Sequence, residues 1–194
     1  MRSFENIKEY HYHTTDFDFS KAKNALLEKV IIDDNLTDSD VIIYLDIDEE
    51  IVGNYKYLNE TLELMSRNEE IGGAICRIAS FNDYSPNFDE PKIDITKGIK
   101  IFRAKYRFTG RIHEQLINAI VSDNKTLIPT RVLLFHYGYD DGQINVEKVF
   151  RNLQLLCRNI SEGYDDNLEG QSKMSTDLSY LSKSIDDLKK AGVL

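Results

Sequence analysis

Acidic residues follow directly on an apolar run in Tyr44-Leu45-Asp46-Ile47-Asp48-Glu49-Glu50. In an open α/β sheet the carboxyl end of a strand is where ligands bind. Asp46 and Asp48 are two apart. In extended backbone both carboxylates then point the same way and can share a hard cation such as Mg²⁺ or Mn²⁺, which prefers oxygen ligands. Such an ion neutralises a diphosphate. The competing reading places Asp48 to Glu50 at a helix N-terminus, where negative charge is favourable. A second cluster, His113-Glu114, sets an imidazole beside a carboxylate, and either can act as a general base, unless the segment is a solvated loop. His136 ends another apolar run, as a metal ligand or as a histidine satisfied at a strand end. His11 and His13 read as structural or surface residues, and Cys76 and Cys157 as small core residues.

The elements that position these groups follow from periodicity. Ile7 to His13 reads as a short strand. A helix then starts at Ser20, its expected N-cap, with Ala22, Ala25, Leu26 and Val30 at helical spacing. Val41 to Leu45 is continuously apolar, which predicts a central strand covered on both faces. A helix is expected over Asn59–Arg67 and a strand over Gly72–Ile78. Lys97-Gly98 reads as the turn of a hairpin joining Ile93–Ile95 to Ile99–Arg103. Val132 to Phe135 is a second buried strand. Helical stripes follow over Val146–Ile160, with Val149, Phe150, Leu153 and Leu156, and over Leu178–Leu188. Buried strands alternating with helices define an α/β domain, a mixed sheet flanked by helices with a C-terminal helical tail. Residues 1–142 form the expected core and residues 143–194 the helical extension. The acidic, aromatic stretch Phe81 to Pro91 is a candidate acceptor surface, since loops carry specificity.

The chain has 194 residues, enough for one domain. Its net charge of -9 argues against nucleic acid as a partner, because phosphate backbones are repelled by such a surface. No apolar run approaches the roughly 20 residues that span a bilayer, and the first residues lack a secretory pattern. A cytoplasmic protein is expected, at most peripheral to a membrane.

The order of these segments resembles that of the family 2 glycosyltransferases of GT-A fold, over about residues 16–159. Asp18-Phe19-Ser20-Lys21-Ala22-Lys23-Asn24 resembles their Asp-Phe-Ser-x-Ala-Arg-Asn segment, and Asp46-Ile47-Asp48 their Asp-x-Asp strand end. Gly110-Arg111-Ile112-His113-Glu114 resembles their Gly-x-(Ile/Val)-His-Glu element. His136-Tyr137-Gly138-Tyr139 is similar to a segment of bacterial members, including the peptide S-glycosyltransferases of glycosylated bacteriocins. The resemblance implies a metal-dependent, inverting transfer from a nucleotide sugar, with uridine diphosphate the expected carrier, to a glycan, peptide or protein acceptor. It implies Mn²⁺ or Mg²⁺ held by Asp46, Asp48 and His136. Lys23 and Asn24 would serve the nucleotide, and Glu114, with His113, would act as base. Lys23 stands where arginine is usual, which forgoes bidentate contact with phosphate. The family's initial strand-helix-strand unit has no counterpart in the roughly twenty residues before the Asp-Phe-Ser segment. The expectation is therefore a fragment, one half of a split enzyme or a degenerate protein acting as a binding module, with weak or no activity alone, working with a complementing chain or as a homo-oligomer.

Overall fold

The computed structural model describes residues 8–13, 18–53, 55–82, 92–112, 114–137, 146–162 and 168–194. The chain is mixed α/β. Helix α1 (Phe19–Asp33) leads to strands β1 (Val41–Ile43) and β2 (Glu49–Val52), then α2 (Lys56–Arg67). Strands β3 (Ile71–Asn82) and β4 (Lys92–Arg103), helix α3 (Ile117–Ser122) and strand β5 (Thr126–His136) complete the layer. Helices α4 (Val146–Glu162) and α5 (Leu168–Lys190) follow. One five-stranded sheet runs β1-β4-β3-β5-β2. The β3–β5 pairing is parallel and the others are antiparallel.

Successive strand residues face opposite sides, so Ile101 and Phe102 enter different cores. Ile101 packs with Leu58, Met65, Cys76, Val132 and Leu134, where α2 turns its apolar positions to the sheet. Phe102 packs with Leu27, Tyr106, Phe108, Leu116 and Ile120, under α1 and α3. The sheet is thus a middle layer with helices on both faces.

Several sequence expectations change here. Asp18, not Ser20, caps α1: its carboxylate accepts the Lys21 N–H at 3.0 Å, and the Ser20 hydroxyl donates to it at 2.8 Å. The shorter reach of a serine hydroxyl is thereby given to positioning the cap. Residues 8–13 form no strand. Among the described residues the run Val41 to Leu45 is an edge, not a centre, since β1 pairs there only with β4. Its hydrophobicity reflects contact with both cores, Val41 against one and Ile42 and Tyr44 against the other, but the cover is incomplete, because Ile43 and Leu45 are exposed. Lateral neighbours leave no such mark.

The Lys97-Gly98 hairpin does not form. β4 runs straight through, Lys97 opposite Arg77 and Gly98 opposite Cys76, and the hairpin is the larger β3–β4 one. Gly98 has no positive φ. It serves a close approach instead: a Cβ there would lie 2.9 Å from Ile78 Cδ1. Asp48 to Glu50 head no helix, because Glu49–Val52 pair antiparallel with β5. Cys76 is fully buried as expected, which raises its thiol pKa, whereas Cys157 is exposed. On the tail helices Phe150 and Leu178 are exposed, and the buried positions include Leu155, Leu156 and Leu188.

No helix among the described residues is long and apolar enough to cross a membrane.

Candidate functional site

β1 and β5 are separated in the sheet, yet their carboxyl ends meet through the segment between β1 and β2. After Tyr44 the chain turns, with the Glu49 N–H donating to the Asp46 carbonyl at 3.0 Å. It then re-enters the sheet beside β5, Glu49 opposite His136. The Tyr137 N–H donates to the Asp48 carbonyl at 2.9 Å, and the Tyr137 hydroxyl to Glu50 at 2.5 Å. The turn corrects the expected extended arrangement: the two aspartates face different partners.

Asp48 Oδ2 lies 3.3 Å from His136 Nε2. The other ring nitrogen, Nδ1, is 3.3 Å from the Ser80 hydroxyl on β3. Asp46 instead meets two ammoniums. Lys100 Nζ is 2.9 Å from Asp46 Oδ2 and 2.6 Å from Glu49 Oε2, and Lys23 Nζ is 3.4 Å from Asp46 Oδ1. Burial opposes the charge on Asp46, but Lys100 and Lys23 outweigh it and hold its carboxyl below the ordinary range. Glu49 is only 4% exposed, so its contact with Lys100 is an interior ion pair.

Lys23 also contacts Glu114. Its Nζ stands 5.0 Å from the Tyr44 ring centroid and 5.2 Å from that of Phe108, so two aromatic faces share an ammonium flanked by carboxylates. Burial, reinforced by the charges of Asp46 and Glu114, pushes the Tyr44 hydroxyl up to about 12. Glu114 is delivered by a closed loop. Thr109 and Gln115 exchange backbone hydrogen bonds at 3.0 and 2.9 Å, and Gly110 takes a φ of +96° that disfavours side chains. Asn24 pins the loop: its amide donates to the Phe108 carbonyl at 2.9 Å and accepts the Phe108 N–H at 2.8 Å. With both functions so engaged, Asn24 positions the Glu114 loop. His113 lies outside the described residues, as do Gly138, Tyr139 and residues 83–91 of the candidate acceptor loop.

Lys23, Asp46, Asp48, Glu114 and His136 all line one open cleft of about 910 Å³. Its far wall is α4, through Glu147, Lys148, Arg151 and Asn152. Ile47, between the two aspartates, is fully exposed at the cleft. The acids, His136 and Glu114 were legible as strand-end and loop chemistry. Lys100 was not, because it reaches Asp46 only through the β1–β4 register. Nor were the polar α4 residues, because the sequence marks that helix only by its apolar stripe.

Among the described residues no group of three or more His, Cys, Asp or Glu is set to hold a metal ion. Asp48 and His136 lie close enough to share a hard divalent cation. Asp46 would join them only by exchanging its lysines. Two protein donors suit Mg²⁺ or Mn²⁺ when substrate phosphate and water complete the shell.

No family model matches the chain, and no curated protein matches it.

Proposed function

We propose that the cleft is the active site of an inverting, metal-dependent glycosyltransferase that uses a nucleotide sugar, most simply a uridine diphosphate sugar. The observation that carries this reading is the meeting of Asp48 and His136 with Glu114 across one cleft large enough for such a donor. Asp48 and His136 would hold Mn²⁺ or Mg²⁺, which supplies charge neutralisation for the departing diphosphate.

The rest falls to the chain's own residues. Glu114 takes the proton of the acceptor hydroxyl or thiol as that oxygen or sulfur bonds to the anomeric carbon. The bond from that carbon to the diphosphate breaks, and the electron pair leaves with the nucleotide. Lys23, wedged between two rings, fixes the Glu114 carboxylate relative to Asp46. A peptide, protein or glycan is the proposed acceptor. A Glu114→Gln variant keeps shape and loses basicity, so turnover falls on the order of a hundredfold or more with donor binding retained. Full turnover in that variant would remove Glu114 as the base.

A second reading is a non-catalytic or split-enzyme module that binds metal and nucleotide. Two observations favour it. Lys23 and Lys100 already neutralise Asp46, and the outer edge of β1 pairs with no strand among the described residues, with Ile43 and Leu45 exposed along it. A polypeptide strand covering that edge would complete the sheet. Calorimetric titration with uridine diphosphate, with and without Mn²⁺, followed by sugar-transfer assays of the chain alone, separates the readings. Binding without transfer supports the module, and robust transfer by the isolated chain excludes it.

A further inference from the structure

We propose that Lys100 and Lys23 lock Asp46 away from the cation, so that Mn²⁺ or Mg²⁺ enters the cleft together with the phosphates of its nucleotide and not ahead of them. This rests on the metal and nucleotide reading of the cleft and adds the order in which its ligands bind.

Asp46 is placed to be a ligand and is occupied instead. It lines the same cleft as Asp48 and His136, and its side chain is 37% exposed, so burial does not withhold it. Charge does. Lys100 Nζ lies 2.9 Å from Oδ2 and Lys23 Nζ 3.4 Å from Oδ1, one ammonium on each carboxylate oxygen. A cation that took either oxygen would meet those ammoniums at close range.

Neither lysine can simply withdraw. Lys100, 12% exposed, also holds Glu49 at 2.6 Å, and Glu49 is 4% exposed. Moving the ammonium away would leave a buried carboxylate unpaired, which costs far more than breaking a surface pair. Glu49 is fixed in turn: its Oε2 accepts the Asp46 N–H at 3.1 Å, and its own N–H donates to the Asp46 carbonyl at 3.0 Å. The turn that presents Asp46 therefore also presents the carboxylate that anchors the ammonium on it. Lys23 is held by Glu114 and lies against the rings of Tyr44 and Phe108.

The consequence is a site with few donors for a cation that arrives alone. Asp48 and His136 supply two, whereas Mg²⁺ takes about six ligands. Phosphate oxygens bring donors and negative charge at once, so cation and nucleotide bind more tightly together than either does singly.

Calorimetry on the full chain, with Mn²⁺ alone and with Mn²⁺ plus uridine diphosphate, tests the lock. In the wild type Mn²⁺ should bind at least about tenfold more tightly with the nucleotide present, and Asp46→Asn should change the affinity for Mn²⁺ alone by less than about twofold. Combining Lys100→Met with Glu49→Gln removes the ammonium and its buried partner and leaves the net charge unchanged. This double variant should bind Mn²⁺ alone about tenfold more tightly, a gain that loss of structure does not produce, and adding Asp46→Asn should cancel the gain. Lys100→Gln, which can still donate to Glu49, should show the same gain, and Lys100→Arg should show none. Circular dichroism checks that each variant is folded. No gain in the folded Lys100→Gln and double variants, or a gain that survives Asp46→Asn, would overturn the lock. The two levels of inference fail differently. Nucleotide-dependent Mn²⁺ binding in the wild type with no gain in these variants removes the lock and keeps the metal reading. A gain in the variants, with a wild type that binds no Mn²⁺ under either condition, keeps the lock and removes the metal reading.

Discussion

Within the floor of the cleft, what each acid does is decided by the partner its backbone gives it. Asp48 is anchored to β5 through its own carbonyl, which accepts the Tyr137 N–H, so its side chain contributes little to strand pairing. Asp48→Asn should therefore abolish Mn²⁺-dependent nucleotide binding while changing stability by less than about 0.5 kcal/mol. Titration calorimetry and urea unfolding measure the two, and an unchanged metal dependence would count against Asp48 as a ligand. Asp46 behaves differently because its folded-state pKa is depressed. A carboxyl of that kind contributes stability above its unfolded pKa of about 3.9, which is lost as pH falls through the folded value. Its side chain is 37% exposed, so solvent screening keeps the contribution modest. Asp46→Asn should flatten the acid limb of a stability–pH curve below about pH 4, and an identical limb would show that the lysine contacts carry no stability. Asp48 and His136 could be picked from the sequence because each ends or follows an apolar run, and Glu114 because it stands beside His113 as a carboxylate next to an imidazole. The Asp46–Lys100 pair could not, since residues 54 apart meet only once the register of β1 on β4 is fixed.

At the scale of elements, one buried side chain ties together pieces the sequence leaves unconnected. Arg103, at the end of β4 and 5% exposed, donates Nε to the Ile71 carbonyl at 3.1 Å and Nη2 to the Asn68 carbonyl at 3.0 Å. It also reaches the carbonyls of Met65 and Ser39. It thereby satisfies the last turn of α2, the start of β3 and the approach to β1, carbonyls that a helix end leaves without partners. Arg103→Met keeps the stem and removes the donors, so buried carbonyls lose their hydrogen bonds. We expect a loss of about 2–4 kcal/mol, read by urea unfolding, whereas a loss under about 0.5 kcal/mol would mean that water replaces the guanidinium. The periodic helices α1, α2, α4 and α5 were legible, as were β3 and β5. The misread elements share a cause. β1, β2 and β4 are set by lateral pairing: β2 is four residues with no apolar period, and β4 contains a Lys-Gly pair that elsewhere would turn.

Across the whole molecule the tail helices and the site loop rest on a common cluster. Ile112, from the Glu114 loop, packs with Leu155 and Leu156 of α4, and Phe19 and Leu181 join them. The α4–α5 contact is locked further by Asn159, whose amide donates to buried Asp177 at 3.1 Å. Phe19 thus belongs at once to the head of α1, to this cluster and to the cleft, and the position of α4 and that of Glu114 are coupled through the cluster. The cluster is small beside the two cores on the faces of the sheet, which makes the tail the expected site of first opening. Leu156→Ala removes a side chain that is 1% exposed and should cost about 2–5 kcal/mol within the cluster. Because the residue does not line the cleft, any change in nucleotide affinity must travel through the seating of α4 and the Ile112 loop. We expect weaker nucleotide binding together with faster amide exchange in α4, α5 and the segment around Ile112, while β3, β4 and β5 keep their protection. Equal loss of protection in the sheet and the tail would instead show that the molecule opens as one cooperative unit, and the coupling through this cluster would then have no separate existence to measure.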